Sequence, residues 1–214
     1  MFPRLYAILD MDLLAARSLR LAHIAAGFHA AGVTLVQYRN KQGCAREMLN
    51  DAAMLRDLFA EQDSRLIMND RADLALLAGL DGVHVGQSDV PPEDARSIVG
   101  ASKWVGISTN SAEQVIASDL TSCDYIAYGP IFPTASKINP DPIVGLAGLK
   151  AVRALTRKPL VAIGGITRKN CRGVLDAGAD SVAVISDLLP ASGDFTMVGA
   201  ETRRIAEEFL SLLG

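Results

Sequence analysis

Short hydrophobic runs recur along the whole chain and are separated by more polar segments. The runs are rich in Val and Ile, nearly continuous in hydrophobicity, and bounded by Gly, Asp or Asn. This pattern predicts parallel strands that are buried on both faces. The eight predicted strands cover residues 5–9, 34–38, 66–68, 83–85, 105–107, 125–128, 160–163 and 181–185.

Between these runs, apolar residues recur with the period of a helix. Gly32, Gly79, Gly100 and Gly178 follow four of these segments, at the position where a glycine commonly ends a helix. The eight predicted helices cover residues 13–31, 45–62, 72–78, 92–99, 112–118, 146–155, 169–177 and 198–213.

Strand and helix alternate eight times without a break in composition. Such alternation is typical of a single α/β unit, and eight repeats predict a (β/α)₈ (TIM) barrel that forms one domain over residues 1–214. A doubly wound open sheet is the alternative. In a barrel of this kind, functional residues lie at the carboxyl ends of the strands.

Composition narrows the class of protein further. Hydrophobic residues make up 50% of the chain and charged residues 21%, which excludes a disordered chain. The net charge of −3 lacks the basic excess that binding to nucleic acid needs. Three widely spaced cysteines, no signal peptide and no apolar stretch of about 18 residues predict a cytoplasmic protein without a membrane segment. The pattern predicts no particular oligomeric state.

The end of the second strand carries a cluster of polar side chains. Because side chains alternate between the faces of a strand, Gln37, Arg39 and Lys41 share one face, opposite Val36 and Tyr38. Two cations and an amide that converge on the barrel mouth are suited to a phosphate-bearing ligand. A solvated strand end is the alternative.

Two carboxylates follow the third and fourth strands. Neighbouring strands lie about 5 Å apart, so Asp70 and Asp89 can meet over the barrel rim. A carboxylate pair suits Mg²⁺, which takes its remaining ligands from water and substrate phosphates. The alternative is that Asp70 caps the next helix and Asp89 stabilises the turn before Pro91.

The fourth and fifth strands each carry one further polar residue. His84 alternates with valines inside its strand, and no HxH or HExxH spacing accompanies it. A hydrogen-bonded structural role is therefore predicted for His84 ahead of a contact with substrate. Ser108 is predicted either to bond a ligand or to cap the following helix.

The longest loop covers residues 129–145, and loops of this length are typical of lids and binding loops. Its Thr134, Ser136 and Lys137 suit a pyrophosphate, although a mobile surface loop is the alternative. After the seventh strand, Gly164 and Gly165 either let the backbone approach an anion closely or serve only a tight turn.

Taken in order, the strand ends read QYRNK, NDRAD, DGVHVGQSD, GIST, GPIFPTASK, AIGGI and VIS. This series, which covers residues 6–186, resembles the thiamine phosphate synthase family, whose members are (β/α)₈ barrels. The resemblance implies an Mg²⁺-dependent enzyme with two small-molecule substrates. It would join 4-amino-2-methyl-5-(diphosphooxymethyl)pyrimidine to 4-methyl-5-(2-phosphooxyethyl)thiazole by a dissociative alkyl transfer, giving thiamine phosphate and pyrophosphate.

The resemblance also implies a role for each matching residue. Arg39, Lys41 and Lys137 would act as catalytic cations on the departing pyrophosphate, and Asp70 and Asp89 match the Mg²⁺ ligands. The thiazole phosphate site matches Thr134, Ala135, Ser136, Gly165, Ile185 and Ser186. The pyrimidine diphosphate site matches Gln37, Tyr38, Arg39, Asn40, Lys41, Asn69, Ser108 and Lys137.

Two positions depart from the family pattern. Ser136 stands where members commonly have threonine, and Asn110 stands where they often have histidine. Ser136 keeps the hydroxyl group, so this departure bears only on substrate affinity. Two other functions compete: a thiazole tautomerase-like barrel, which needs neither the carboxylate pair nor the Arg39 and Lys41 pair, and a non-catalytic barrel that binds phosphorylated metabolites and regulates a partner.

Overall fold

A computed structural model describes residues 1–134, 142–191 and 197–214. Within this part of the chain, eight parallel strands pair in sequence order, and the last pairs with the first to close a barrel. The strands are β1 (Leu5–Asp10), β2 (Leu35–Arg39), β3 (Arg65–Asn69), β4 (Gly82–Val85), β5 (Trp104–Thr109), β6 (Tyr125–Tyr128), β7 (Leu160–Ile163) and β8 (Ser181–Val184). The closed barrel confirms the predicted fold and excludes the open sheet.

Helices follow the strands and surround the barrel. A short 3-10 helix, Ser186–Leu188, follows β8. The α-helices in the described part are α1 (Met11–Ala16), α2 (Leu21–Ala31), α3 (Ala45–Phe59), α4 (Ala72–Leu77), α5 (Pro92–Val99), α6 (Ala112–Asp119), α7 (Gly145–Arg153), α8 (Cys171–Asp176) and α9 (Val198–Leu213). Each glycine predicted at a helix end has a positive φ, between 70° and 108°, which residues with a side chain rarely adopt.

The single helix predicted over residues 13–31 is wrong, because two helices occupy this region. The Asp10 carboxylate caps α1 by accepting a hydrogen bond from the backbone N–H of Leu13 at 2.9 Å. Ser18 then adopts a φ of 56°, which breaks the helical path before α2 begins at Leu21. The buried Leu14 of α1 and the buried Leu21 and Phe28 of α2 are spaced seven residues apart, so the apolar pattern alone hides the break.

The apolar core has two layers. One layer lies between the barrel and the helices. The other fills the barrel interior, where buried side chains from alternate positions of the strands meet. The interior residues are Tyr6, Ile8, Leu35, Ile67, Tyr125, Ala127, Val161 and Ala183. This filled interior leaves the carboxyl ends of the strands as the place for a cavity.

Aromatic rings pack at the amino ends of the strands. Phe2 stacks on Trp104 with ring centroids 5.1 Å apart, and both rings pack against Tyr125. The Arg65 guanidinium lies over the Trp104 ring at 5.2 Å. In the described part of the chain, no helix is long and apolar enough to cross a membrane.

Candidate active site

A cavity of about 520 Å³ lies at the carboxyl ends of the strands. Side chains and loops from seven consecutive strands, β2 to β8, bring most of the predicted site residues to its wall. Those that line the cavity are Gln37, Arg39, Lys41, Asn69, Asp70, Asp89, Ser108, Thr134, Gly165, Ile185 and Ser186. Residues that are far apart in the chain are therefore close enough to act on one ligand.

Two predicted residues do not line the cavity. Tyr38 is buried in the layer between barrel and helices, and its hydroxyl donates to Asp51 Oδ2 at 2.6 Å. Asn40 Nδ2 donates to the same hydroxyl at 3.1 Å, and Asn40 Oδ1 accepts from the backbone N–H of Gly43. Alternation along β2 thus separates these two side chains from Gln37 and Arg39. Ala135, Ser136 and Lys137 lie outside the described residues.

Both described cations of the cavity form ion pairs. Arg39 Nη1 donates to Asp10 Oδ2 at 2.5 Å, and Lys41 Nζ pairs with Asp70 Oδ2. The strand register places Asp10 beside Arg39 at the ends of β1 and β2. Sequence reasoning missed Asp10, although the same signal was present, since an acidic residue follows the apolar run of β1. Its buried carboxylate holds the Arg39 guanidinium at the cavity wall.

Asp70 has an unusual backbone conformation for a residue other than glycine, with a φ of 62°. Its backbone N–H donates to the carbonyl of His84 on the neighbouring strand at 2.7 Å. The predicted alternative of a helix cap is wrong for Asp70, because Arg71 is the N-cap of α4 and no side chain caps that helix. The strained backbone instead turns the Asp70 carboxylate toward the cavity.

The Asp70 and Asp89 carboxyl groups interact with each other. Burial raises the pKa of the Asp70 carboxyl above its ordinary value, and Asp89 adds to that rise while Lys41 opposes it. Asp89 Oδ2 also accepts a hydrogen bond from the backbone N–H of Gly86 at 2.8 Å, so it stabilises its own turn as well. The carboxyl groups that follow β3 and β4 are therefore close enough to interact electrostatically.

The donor set at this place fits a hard divalent cation. Asp70 and Asp89 line the cavity, and the two cations beside them are each paired with a carboxylate, Arg39 with Asp10 and Lys41 with Asp70. Among the described residues, no group of three or more His, Cys, Asp and Glu side chains could hold a metal by itself. Two carboxylates suffice for Mg²⁺, which commonly keeps several waters and binds substrate phosphates.

His84 is a buried, fully hydrogen-bonded histidine in the floor of the cavity. Its Nδ1 lies 3.0 Å from the Tyr125 hydroxyl and its Nε2 lies 2.8 Å from Ser108 Oγ. Burial lowers the pKa of His84 to about 4, although the charge of Asp89 opposes that change. The imidazole is therefore neutral at pH 7, as a structural histidine would be.

The two glycines after β7 make room for the loop after β6. Gly164 and Gly165 have φ values of 99° and 63°. A Cβ atom on Gly164 would lie 2.6 Å from Pro130 Cβ, and one on Gly165 would lie 2.5 Å from the Pro133 carbonyl oxygen. Backbone N–H groups of Ile131 and Phe132 donate to the carbonyls of residues 163 and 164. The glycines thus join two loops, and Gly165 also lines the cavity.

Arg17, at the end of α1, stabilises the segment after β8 through hydrogen bonds. Arg17 Nη1 donates to the carbonyl oxygens of Ser186, Leu189 and Pro190 at 2.9–3.1 Å. On the other side, Arg168 pairs with Asp187 at 3.2 Å. These contacts hold the cavity-lining residues of β8 in place from outside the cavity.

Several cavity residues were absent from the sequence prediction. Gln87 Nε2 donates to the backbone carbonyl of Ser108 at 2.7 Å, which ties the loop after β4 to β5. Tyr6, Thr109 and Gln114 also line the cavity. Gln87 could have been predicted, because it is a polar residue that follows a strand. Tyr6 lies inside an apolar run, where nothing in the sequence distinguishes it from a core residue.

Comparison with known proteins identifies the family to which the chain belongs. A sequence profile described as thiamine monophosphate synthase matches residues 5–188, which extend from β1 to the 3-10 helix after β8. The chain belongs to the thiamine monophosphate synthase family. This membership confirms the resemblance found in the strand-end motifs.

Individual members of the thiamine monophosphate synthase family are similar over nearly the full length. The thiamine-phosphate synthase of Koribacter versatilis is 55% identical over 213 residues, covering 99% of this chain and 96% of that protein. That of Chloroflexus aurantiacus is 40% identical and covers 94% of this chain and 92% of that protein. The solved structure of thiamine phosphate pyrophosphorylase from Pyrococcus furiosus superposes with a TM-score of 0.79 at 33% identity, covering 96% of each chain.

Proposed function

We propose that this protein is a thiamine phosphate synthase that joins a pyrimidine methyl diphosphate to a thiazole phosphate with the help of Mg²⁺. The single observation that carries the proposal is the convergence of Arg39, Lys41 and the Asp70–Asp89 pair on one cavity. To bind a single phosphate group, a cavity needs only a cationic side chain. Paired carboxylates among cations are suited to a diphosphate that arrives with a divalent metal ion.

The ion pairs of the two cavity cations support the metal requirement. Arg39 is already paired with Asp10 and Lys41 with Asp70, so a diphosphate would meet cations whose charge is largely balanced, and a further cation would strengthen its binding. When bound, Mg²⁺ would be held by Asp70 and Asp89 and would supply positive charge to the diphosphate oxygens. Arg39, held by Asp10, offers a planar fork of donors for the same group.

The reaction exchanges one bond for another. The bond between the pyrimidine methylene carbon and the diphosphate oxygen breaks, and its electron pair leaves with pyrophosphate. The lone pair of the thiazole nitrogen then forms the new carbon–nitrogen bond, giving thiamine phosphate. Arg39 and Lys41 stabilise the negative charge that grows on the departing oxygen, more strongly in the transition state than in the substrate.

The carbon side of the breaking bond requires protection from water, which would otherwise capture the cation. Apolar side chains form a continuous part of the cavity lining, and this surface disfavours ordered water near the reacting carbon. These residues are Ile8, Ala127, Val161, Ile163 and Ala183. The predicted lid covers residues 129–145, of which 135–141 lie outside the described residues.

The thiazole phosphate is proposed to bind at the ends of β7 and β8. Gly165, Ile185 and Ser186 line this side of the cavity, and Thr134 approaches it from the loop after β6. Barrels frequently bind phosphate groups at these two strand ends. The two substrates would then meet across the apolar part of the cavity.

A product assay tests this proposal. Purified protein is incubated with both phosphorylated heterocycles in the presence of Mg²⁺, of EDTA, and of EDTA followed by excess Mg²⁺. We expect thiamine phosphate and pyrophosphate in equal amounts, no turnover in EDTA, and recovery on addition of Mg²⁺.

Two results would contradict the proposal, one from this assay alone and one from this assay together with a separate measurement of thiazole phosphate binding. Turnover that EDTA leaves unchanged would remove Mg²⁺ from the mechanism. Thiazole phosphate binding that is equal with and without Mg²⁺, combined with no thiamine phosphate, would favour a regulatory barrel instead.

A further inference from the structure

A chain of buried hydrogen bonds crosses the barrel interior under the cavity, and the mechanism above does not use it. Gln37 Nε2 donates to the Tyr6 hydroxyl at 2.8 Å, and the Tyr6 and Tyr125 hydroxyls lie 2.8 Å apart. Tyr125 is followed by His84 Nδ1 at 3.0 Å, and His84 Nε2 by Ser108 Oγ at 2.8 Å. We call these five residues the buried hydrogen-bond chain.

Four of the five residues of the buried hydrogen-bond chain line the cavity: Gln37, Tyr6, His84 and Ser108. The middle residue, Tyr125, is fully buried and absent from the lining. Gly106, two residues before Ser108, makes this arrangement possible, because a Cβ atom there would lie 2.0 Å from the Tyr125 ring. The hydroxyl of Tyr125 therefore acts on other residues of the protein and not on a ligand.

The donor at the first position, the Gln37 amide, determines the direction of every hydrogen bond in the buried hydrogen-bond chain. Since the Tyr6 oxygen accepts from Gln37, the proton of Tyr6 has only Tyr125 as an acceptor among the described residues. A buried hydroxyl proton without an acceptor costs about 1–3 kcal/mol, so Tyr6 donates to Tyr125. Tyr125 must then donate its own proton to His84 Nδ1.

The direction continues through the imidazole. A neutral histidine that accepts at Nδ1 carries its proton on Nε2, which then donates to Ser108 Oγ. Both phenols are buried in the barrel, and each ring nitrogen of His84 faces a hydroxyl oxygen, so a neutral ring with one acceptor and one donor completes this pattern. Among the described residues, the hydroxyl proton of Ser108 then has no acceptor in this chain of hydrogen bonds.

We propose that the buried hydrogen-bond chain holds the Ser108 hydroxyl as a hydrogen-bond donor to the pyrimidine substrate. Tyr125 and His84 are then positioning residues, which act on the substrate through Ser108. The inference rests on the proposed function, because an aminopyrimidine ring offers nitrogen lone pairs as acceptors. A ring that presents an N–H group at the same point would be disfavoured, since two donors would face each other.

The opposite direction makes a different, measurable prediction. If the Gln37 amide presented its oxygen to Tyr6, each proton would reverse, His84 would be protonated on Nδ1, and Ser108 would donate to Nε2. The two directions therefore differ in the tautomer of one histidine. That tautomer can be measured without substrate and without activity.

Nitrogen NMR of protein labelled with ¹⁵N-histidine provides this measurement at pH 7. Substitution of His23 and His29 identifies the third signal as that of His84. We expect a neutral ring with its proton on Nε2. A ring with its proton on Nδ1 would overturn the inference while leaving the proposed function untouched.

Kinetics of Tyr125→Phe test the action through Ser108. This variant removes one hydroxyl and keeps the ring, and we expect kcat/KM for the pyrimidine substrate to fall about three- to tenfold, with KM for the thiazole phosphate unchanged. In a Ser108→Ala background, Tyr125→Phe should cause no further loss. Tyr128→Phe, on the same strand but in the layer under the helices, is the matched control and should match the wild type.

Each remaining outcome decides a different question. Losses from Tyr125→Phe and Ser108→Ala that multiply would show a merely structural effect and overturn the inference. If Tyr125→Phe fails to fold, the His84 tautomer decides alone. If the wild type forms no thiamine phosphate while His84 carries its proton on Nε2, the proposed function fails and the direction of the chain stands.

Discussion

Asp70 combines a left-handed backbone with a charged side chain at the cavity. Asp and Asn are the residues other than glycine that adopt this conformation most readily. A substitution by alanine would therefore mix backbone strain with the loss of charge. Substitution by asparagine separates the two effects, because asparagine keeps the size of the side chain and tolerates the backbone.

We predict that Asp70→Asn raises the Mg²⁺ concentration needed for half-maximal activity by about tenfold or more, since a charge-assisted contact is worth about 1.5–3 kcal/mol. The melting temperature should stay close to that of the wild type. Asp73→Asn is the matched control, because Asp73 is an exposed carboxylate paired with Arg71 on the helix that follows. An unchanged Mg²⁺ titration in Asp70→Asn would remove Asp70 from the metal site.

The buried neutral state of His84 predicts how stability changes with pH. The pKa of His84 is about 4 in the folded protein and about 6.5 in the unfolded chain. Below pH 6.5 the unfolded chain binds a proton that the folded protein does not, so stability is lost as the pH falls from 6.5 toward 4. By pH 5 the loss from this residue is about 2 kcal/mol.

Urea unfolding at pH 7 and pH 5 measures this loss. In His84→Gln, the difference between the two pH values should shrink by about the same amount, because glutamine does not titrate. Equal pH dependence in the two proteins would mean that His84 is not held neutral by burial.

At the level of residues, the sequence predicted the cavity side of β2 well. Alternation along a strand is a local property, so Gln37, Arg39 and Lys41 could be assigned to one face. The same rule, applied to the whole motif, would have excluded Tyr38 and Asn40, which the resemblance added as a continuous segment. The pairing of Asp10 with Arg39 depends on the register between two strands, which no local pattern contains.

Among the elements, the two loops after β6 and β7 depend on each other through the glycines at 164 and 165. Gly164 has a φ of 99°, and a Cβ atom there would lie 2.7 Å from the backbone of Pro130. Neither the loop nor the glycine could move alone, since hydrogen bonds join the two backbones. The glycines after β7 are thus required for packing as well as for any ligand.

We predict that Gly164→Ala destabilises the protein by about 2–4 kcal/mol, through left-handed strain and overpacking together. Gly173→Ala is the matched control: Gly173 lies within α8, and a Cβ atom there meets nothing within 4 Å. This control should gain about 0.5–1 kcal/mol, because alanine is the better helix former. Equal stability of the two variants, measured by urea unfolding, would contradict this account of the loops.

The elements themselves were largely predictable, because eight apolar runs alternate with eight helical segments. The error at residues 13–31 shows the limit. The break at Ser18 comes from one left-handed residue and a carboxylate cap contributed by the preceding strand, and neither changes the apolar period. Boundaries that depend on a single dihedral angle or on a cap are not visible in a hydrophobic pattern.

At the scale of the whole molecule, closure of the barrel is what creates the site. An open sheet would leave the ends of β2 and β8 apart, whereas the closed barrel places both on the wall of one cavity of about 520 Å³. The filled interior and the packed aromatic rings at the other end leave the carboxyl ends as the face for substrate. The central claim is that charges from different strands act on one metal-bound diphosphate.

A crystal structure with Mn²⁺ and pyrophosphate, measured at a wavelength where manganese scatters anomalously, tests this claim most directly. The account predicts one strong anomalous peak in contact with both Asp70 and Asp89. It also predicts pyrophosphate oxygens that contact this ion and the Arg39 guanidinium. A manganese peak that touches neither aspartate, or pyrophosphate bound away from Arg39, would contradict it.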